Sequence, residues 1–263
     1  MEHVTEPKER YNLRKALVVM ERNIKILKET DTHILDESTT KQCRIRVLPL
    51  VLEAEDSPAP RFFTPFSPEN MPEPTAEYVN REYKIHPSLP SAGWGRSISL
   101  FLDCYITKLM LQFQAARYEW SCHQIADYKF GDLYRTFYPR FGTLMIWHVA
   151  KFSRPHIKCI MQNDLESDDD SLLRGEVLTV IRIMLGQLKR KIFVNDMVAP
   201  VLLFSLNRRH PRVIEAYFDG RELLVRRTKA YDFTYMNADG FKTFAQWFMG
   251  NPIGDTSEQA ILS

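Results

Sequence analysis

The chain has 263 residues, of which 44% are hydrophobic, 12% aromatic and 26% charged, a composition typical of a globular protein with ample material for an apolar core. Its 35 basic and 33 acidic residues nearly balance, so the overall charge excludes a general attraction to nucleic acid or anionic lipid, and any basic site must be local. No apolar run approaches the roughly 18 residues of a membrane span, and the N-terminal segment MEHVTEPKER lacks the apolar stretch of a signal peptide. We therefore expect a protein of the cytoplasm or nucleus that makes no membrane contact.

The first predicted elements are a helix and a strand. Residues 9–29 carry apolar side chains at steps of three and four, which predicts an amphipathic helix. The segment from Cys43 to Glu53 alternates like a strand, and Pro49 confines that strand to a sheet edge or a bulge because proline has no backbone N–H.

A proline-rich connector follows. The stretch from Asp56 to Pro90 holds eight of the fifteen prolines, which predicts a long irregular segment. Its phenylalanines and tyrosines can anchor it to a neighbouring surface. The sequence favours a strap over the core and leaves a functional lid as the alternative.

Helical patterns dominate the middle of the chain. Ser97–Trp120 has one broad apolar stripe, and we expect a second helical segment around Asp132–Phe152. The acidic run Asn163–Ser171 predicts a solvated loop that suits the N-terminus of a third helix, Leu172–Lys191.

After this helix the period changes to that of strands. The segment APVLLFSLN reads as an apolar strand, and RVIEAYFD and ELLVRRT flank an Asp-Gly turn as a hairpin. Phe241–Met249 predicts a closing helix. The fold class is therefore α+β, with a helical N-terminal half packed against a C-terminal antiparallel three-stranded meander. We divide the chain into an N-terminal helix and edge strand (1–55), the connector (56–92) and the main core (93–263), and expect one domain overall.

The hairpin region is locally basic and is the candidate for a binding surface. Seven cations and four acids lie between Asn207 and Asp232, with aromatic residues interleaved, a pattern that could contact nucleic acid. Alternation, however, places Glu215 and Asp219 on the same face as Tyr217, and a half-acidic face repels phosphate. The candidate binding residues are Arg208, Arg209, Arg212, Arg226 and Arg227.

Three carboxylates are the candidates for catalysis. Glu176 on a helix, with Asp219 and Glu222 near strands, resembles the plan of PD-(D/E)XK nucleases, in which such groups gather Mg²⁺. The segment ELLVRR lacks the lysine of that motif and offers arginines, which cannot act as bases near neutral pH.

The sequence predicts no metal and no cofactor. His148, His156 and Cys159, with Cys122-His123 upstream, match no standard zinc spacing, and the four cysteines are expected to be buried, reduced thiols. The phosphate-binding glycine motifs and the nucleophile motif G-x-S-x-G are absent.

Several sequence segments together resemble one group of proteins. The segments GTLMIWHVAKFSRP, LLRGEVLTVI, PVLLFSL, HPRVIEAYFDGRELLVRRTKAYDF and FAQWFMGNPIGDT span roughly residues 130–256. They are similar to intracellular proteins of filamentous fungi whose biochemical role is unassigned. The resemblance implies a fungal intracellular protein and transfers no functional residue.

The leading functional hypothesis is an intracellular interaction or accessory protein with a protein partner. The alternative is a divergent PD-(D/E)XK-like nuclease or a nucleic-acid-binding protein. Whether the protein is an enzyme stays open at this point.

Overall fold

A computed structural model describes residues 6–53, 60–66, 69–84, 91–113, 119–123, 133–135 and 139–257. The α-helices in these ranges are α1 (Lys8–Ile26), α2 (Glu37–Gln42), α3 (Ala76–Val79), α4 (Ser91–Gln112), α5 (Arg174–Leu188) and α6 (Ala238–Met249). The strands are β1 (Ile34–Leu35), β2 (Ile45–Pro49), β3 (Trp120–His123), β4 (Tyr134–Arg135), β5 (Phe141–Val149), β6 (Ile157–Asn163), β7 (Leu172–Leu173), β8 (Val201–Asn207), β9 (Arg212–Phe218) and β10 (Leu223–Arg227).

One large mixed sheet organises the molecule. Its strand order is β2-β10-β9-β8-β6-β5-β3, with β4 paired to β5, while β1 and β7 form a separate two-stranded sheet. The α+β class is confirmed. The predicted three-stranded antiparallel meander, β8-β9-β10, is only part of this sheet, because β2 joins it in parallel at β10 and β6 joins it in parallel at β8. The prediction of a C-terminal sheet of three antiparallel strands was therefore wrong.

The predicted second helical segment was also wrong over most of its described length. Phe141–Val149 forms β5, which pairs antiparallel with β6 on one side and β3 on the other. Aromatic and β-branched side chains in this segment fit a pleated sheet well, and pairing with two neighbours overrides the local helical pattern. Trp120, expected at the end of a helix, begins β3 instead, and α4 ends at Gln112.

Two apolar layers cover the faces of the sheet. Alternate residues of β8 point to opposite sides: Leu203 belongs to the core under α1 and α5, and Phe204 to the core under α4 and α6. Helix α5 lies between α1 and the sheet and is buried almost all round, as expected for a helix with apolar side chains on every face. Helix α1 buries one stripe against α5, as its periodicity predicts.

The described part of the connector (residues 60–66 and 69–84) lies as a strap against the core under α4 and α6. Phe62 and Phe63 are buried, and Phe63 forms a bridge with Pro252. The Glu215 carboxylate accepts the backbone N–H groups of Arg61 at 2.9 Å and Phe62 at 2.7 Å. Burial raises the pKa of Glu215, and these hydrogen bonds oppose that rise. Connector residues 56–59, 67–68 and 85–90 lie outside the described residues.

In the described parts of the chain, no helix combines the length and the apolar character that crossing a membrane requires. None of the four cysteines is in a disulfide; Cys159 is buried and Cys122 is exposed, so the expectation that all four are buried was wrong.

Candidate functional site

Glu176 lies in a buried hydrogen-bonded ion pair. It occupies the first turn of α5 and accepts the backbone N–H of Leu173 at 2.8 Å. Arg212 holds both carboxylate oxygens of Glu176, at 3.0 and 2.6 Å, and Asn207 donates a further bond at 3.0 Å. In all four of these hydrogen bonds the Glu176 carboxylate is the acceptor, so both of its oxygens have protein donors.

The charges of this pair stabilise each other away from water. Burial alone would raise the pKa of Glu176, but the charge and hydrogen bonds of Arg212 outweigh it and hold the pKa below its ordinary value. Arg212 also donates to the carbonyl oxygens of Asp168 and Ser171. These bonds tie the loop between β6 and β7 (residues 164–171, here called the acidic loop) to the start of α5. The pair therefore joins α5, β8, β9 and the acidic loop, and neither side chain is exposed to a substrate.

Asp219 and Glu222 lie in the turn between β9 and β10, at the end of β9 that is opposite to Arg212. Asp219 accepts the backbone N–H groups of Arg221 and Glu222, both at 2.8 Å, and so closes the β9-β10 turn. Glu176 contacts the first residue of β9 and Asp219 follows the last, and at about 3.3 Å per residue these ends are roughly 20 Å apart. Ligands of one divalent ion lie about 2.0–2.6 Å from it, so the structure does not bring the three carboxylates into one metal site.

The five candidate arginines do not form one surface. Arg212 is buried on the α5 side of the sheet, whereas Arg226 lies 3.8 Å from Glu215 on the strap side. Arg209 stacks over Trp94 at 3.8 Å, and Arg208 donates to the carbonyl oxygen of Asp164 in the turn after β8. Arg227 lines a groove described below. A phosphate backbone would meet no continuous basic face here.

The Cys and His residues singled out in the sequence belong to the sheet. Cys122 and His123 lie on β3, His148 on β5 and Cys159 on β6. The buried His156 precedes β6, and its Nε2 lies 2.9 Å from the carbonyl oxygen of Ile253. Across the residues that the structure describes, no group of three His, Cys, Asp or Glu side chains could hold a metal ion.

A large groove, here called the edge groove, runs along β2. Its walls are α2, the acidic loop before β7 and the segment after β10, and its volume is about 1380 Å³. This exceeds the roughly 300–1,000 Å³ of small-molecule sites and suits a longer ligand. Its lining comes from residues 34–37, 40–41, 45–51, 53, 168–172, 222 and 227–231.

The edge groove combines apolar surface with negative charge. Ile34 and Val51 are exposed large hydrophobic side chains of its lining. Seven acidic and four basic side chains line it, a balance of −3. The acidic side chains are Asp36, Glu37, Glu53, Glu222 and the three aspartates at 168–170; the basic ones are Lys41, Arg46, Arg227 and Lys229.

Local hydrogen bonds hold several of these acids in the ionised form. The hydroxyl and backbone N–H of Thr39 lower the pKa of Asp36, the N-cap of α2. Burial would raise the pKa of Asp168, but donors from Ser171 and Asp170 lower it overall. Asp36 and Asp168 therefore stay ionised near neutral pH.

Sequence reasoning did not identify the edge groove, although two of its parts were visible. Pro49 correctly placed β2 at a sheet edge, and the acidic run was expected to lie in solvent. Nothing local indicates that these two segments, more than a hundred residues apart, form the walls of one groove.

Comparisons of the chain with protein-family models, curated proteins and solved structures find no match. The resemblance to proteins of filamentous fungi therefore stays a prediction.

Proposed function

We propose that this protein is an interaction protein that binds a segment of a partner protein in the edge groove. The observation that carries the proposal is the groove itself, a concave surface with exposed apolar side chains beside β2, which among the described strands pairs with β10 alone. Exposed apolar side chains within a concave, polar-rimmed surface are typical of protein-binding sites.

The placement of the candidate catalytic groups supports this function over catalysis. The Glu176 carboxylate is paired with Arg212, and Asp219 closes a turn at the opposite end of β9. The negative balance of the groove also disfavours nucleic acid, whose phosphates would be repelled.

Selection from displayed random peptides about twelve residues long tests the proposal, because the groove can hold an extended segment of that kind. We expect peptides to be enriched whose affinity falls at least about tenfold for the Ile34→Arg protein, since a bulky cation replaces apolar contact surface. Affinity is measured by fluorescence anisotropy with synthetic peptides.

Ile192→Arg is the matched control, because Ile192 is 61% exposed against 49% for Ile34 and lies outside the groove. The control protein should bind the selected peptides as the wild type does. Enrichment of no peptide, or peptides equally affected by both substitutions, would contradict the proposed function.

A further inference from the structure

We infer that the edge groove receives an extended, basic segment of a partner protein, which adds a strand to the outer edge of β2. The inference rests on the proposed function and specifies the conformation and the charge of the partner segment.

The hydrogen bonds between β2 and β10 show which backbone groups of β2 face away from β10. Leu223 donates to the carbonyl oxygen of Arg44 at 3.0 Å, and Leu50 donates to that of Arg227 at 2.8 Å. In a parallel ladder alternate residues bond to the neighbouring strand, so residues 44, 46, 48 and 50 face β10. Ile45, Val47 and Pro49 therefore direct their backbone groups to the outer edge.

This outer edge can pair with another strand. Within the described residues, neither the N–H nor the C=O of Val47 has a hydrogen-bond partner. Pro49 supplies an acceptor and no donor, which sets one end of the pairing. Partner segments add to such edges through main-chain hydrogen bonds, and side-chain surroundings select the sequence.

Charge selects a basic segment among the possible occupants. The groove has a balance of −3, so lysine or arginine side chains on the incoming strand would be attracted. A second copy of this chain pairing through β2 would bring two acidic grooves together, which is unfavourable. Nucleic acid is disfavoured by the same charge.

The position of Val47 allows a direct test of strand addition. Its N–H points away from β10, so Val47→Pro removes an outward donor and leaves the ladder to β10 in place, as prolines at sheet edges do. Val47→Thr is the matched control, because it also replaces the side chain and keeps the N–H. We expect peptides selected on the wild-type protein to bind Val47→Pro about two- to tenfold more weakly, the contribution of one backbone hydrogen bond, and Val47→Thr nearly as well as wild type.

Charge is tested with the double substitution Asp169→Asn and Asp170→Asn. Asparagine at position 169 keeps an oxygen for the backbone N–H of Ala230, which Asp169 now accepts at 2.9 Å. We expect the selected peptides to be net positive and to bind this protein about two- to fivefold more weakly, in line with exposed charge pairs. Glu69→Gln with Glu77→Gln, which removes two exposed carboxylates outside the groove, should leave binding unchanged.

N-methylation of alternate peptide residues gives a second measurement that does not depend on the folding of Val47→Pro. One methylation register should abolish binding and the other should not, because only one set of N–H groups pairs with β2. Two results would overturn this inference and leave the proposed function intact. In the first, the peptides whose binding Ile34→Arg weakens carry no net positive charge. In the second, these peptides still bind after N-methylation in either register. Self-association that Val47→Pro abolishes would assign the edge to a second copy and overturn it as well. Failure of the proposed function itself shows as the absence of groove-dependent peptides.

Discussion

At the scale of single residues, the contacts of a side chain decide its role, and its chemical type does not. Glu176 has the type and helical position of a metal-binding carboxylate, yet Arg212, Asn207 and the N–H of Leu173 use both of its oxygens. The helix that bears Glu176 was predictable from local periodicity. Its partner was not, because Arg212 follows 36 residues later and meets Glu176 only when β9 joins the sheet.

Glu176→Gln is expected to destabilise the fold. It leaves the Arg212 guanidinium buried without its counter-charge, so the free energy of unfolding should fall by about 3–5 kcal/mol. Urea denaturation measures this free energy. The control is Glu222→Gln in the β9-β10 turn, which should change the free energy of unfolding by less than about 0.5 kcal/mol.

Adding Arg212→Met to Glu176→Gln should recover part of this loss, because no unpaired charge then remains in the core. A double variant that is less stable than Glu176→Gln alone would show that the ion pair is not the source of the effect.

At the scale of elements, the C-terminus of α6 is a junction between the strap and the sheet. The Gly250 carbonyl oxygen accepts the indole N–H of Trp120 at 2.7 Å and a bond from Lys158, whose amine also donates to Phe248 at 2.7 Å. Burial lowers the pKa of Lys158 well below its ordinary value. These donors satisfy carbonyl groups that the end of a helix leaves unpaired. The helix itself was predictable, but this contact with β3, β6 and the strap was not.

Gly250→Ala should displace the strap. A Cβ at this position would lie 1.8 Å from the carbonyl oxygen of Thr64, a backbone atom that cannot move alone. We expect the free energy of unfolding to fall by at least about 1–3 kcal/mol, the usual cost of overpacking. Amide exchange at Phe66, which donates to Gln246 at 2.9 Å, should accelerate.

The matched control is Gly186→Ala, the same substitution in the last turn of α5. Alanine is favoured over glycine there by about 0.5–1 kcal/mol, so this variant should gain stability. Equal effects of the two substitutions would exclude the contact with Thr64 as the cause.

At the scale of the whole molecule, His156 lies where the strap, the sheet and the C-terminal segment meet. Its ring makes edge contacts with Phe62 and Phe63, and its Nε2 lies 2.9 Å from the Ile253 carbonyl oxygen. Burial lowers the pKa of His156 to about 4, a shift that the Ile253 hydrogen bond opposes and the charges of Arg154 and Lys158 increase.

Acid should therefore weaken the fold through His156. Between pH 6.5 and about 4 the unfolded chain binds a proton at this residue and the native protein does not, so stability falls as the pH falls. The lowering of the pKa from 6.5 to about 4 corresponds to a loss of about 3 kcal/mol.

The difference between wild type and His156→Gln isolates this contribution, because glutamine can still donate to Ile253 and does not titrate. Urea unfolding at a series of pH values should show a steeper loss for the wild type in this window. Parallel pH profiles of the two proteins would contradict the assignment.

Elements with local patterns were predictable from the sequence. Apolar side chains at steps of three and four define α1 and α5, and Asp219-Gly220, with Gly220 at φ 92°, defines the β9-β10 turn. Pro49 limits β2 to an edge because the missing N–H acts wherever the strand lies. These properties depend on neighbouring residues alone.

Pairing between distant segments depends on the tertiary structure. The segment Phe141–Val149 is a strand because β3 and β6 flank it, and the order of the large sheet follows from contacts that no short window contains. The edge groove arises in the same way, since β2 and the acidic loop meet only in the folded chain. Local chemistry therefore set the elements, while the free energy gained by burying both faces of one sheet set their arrangement and the candidate site.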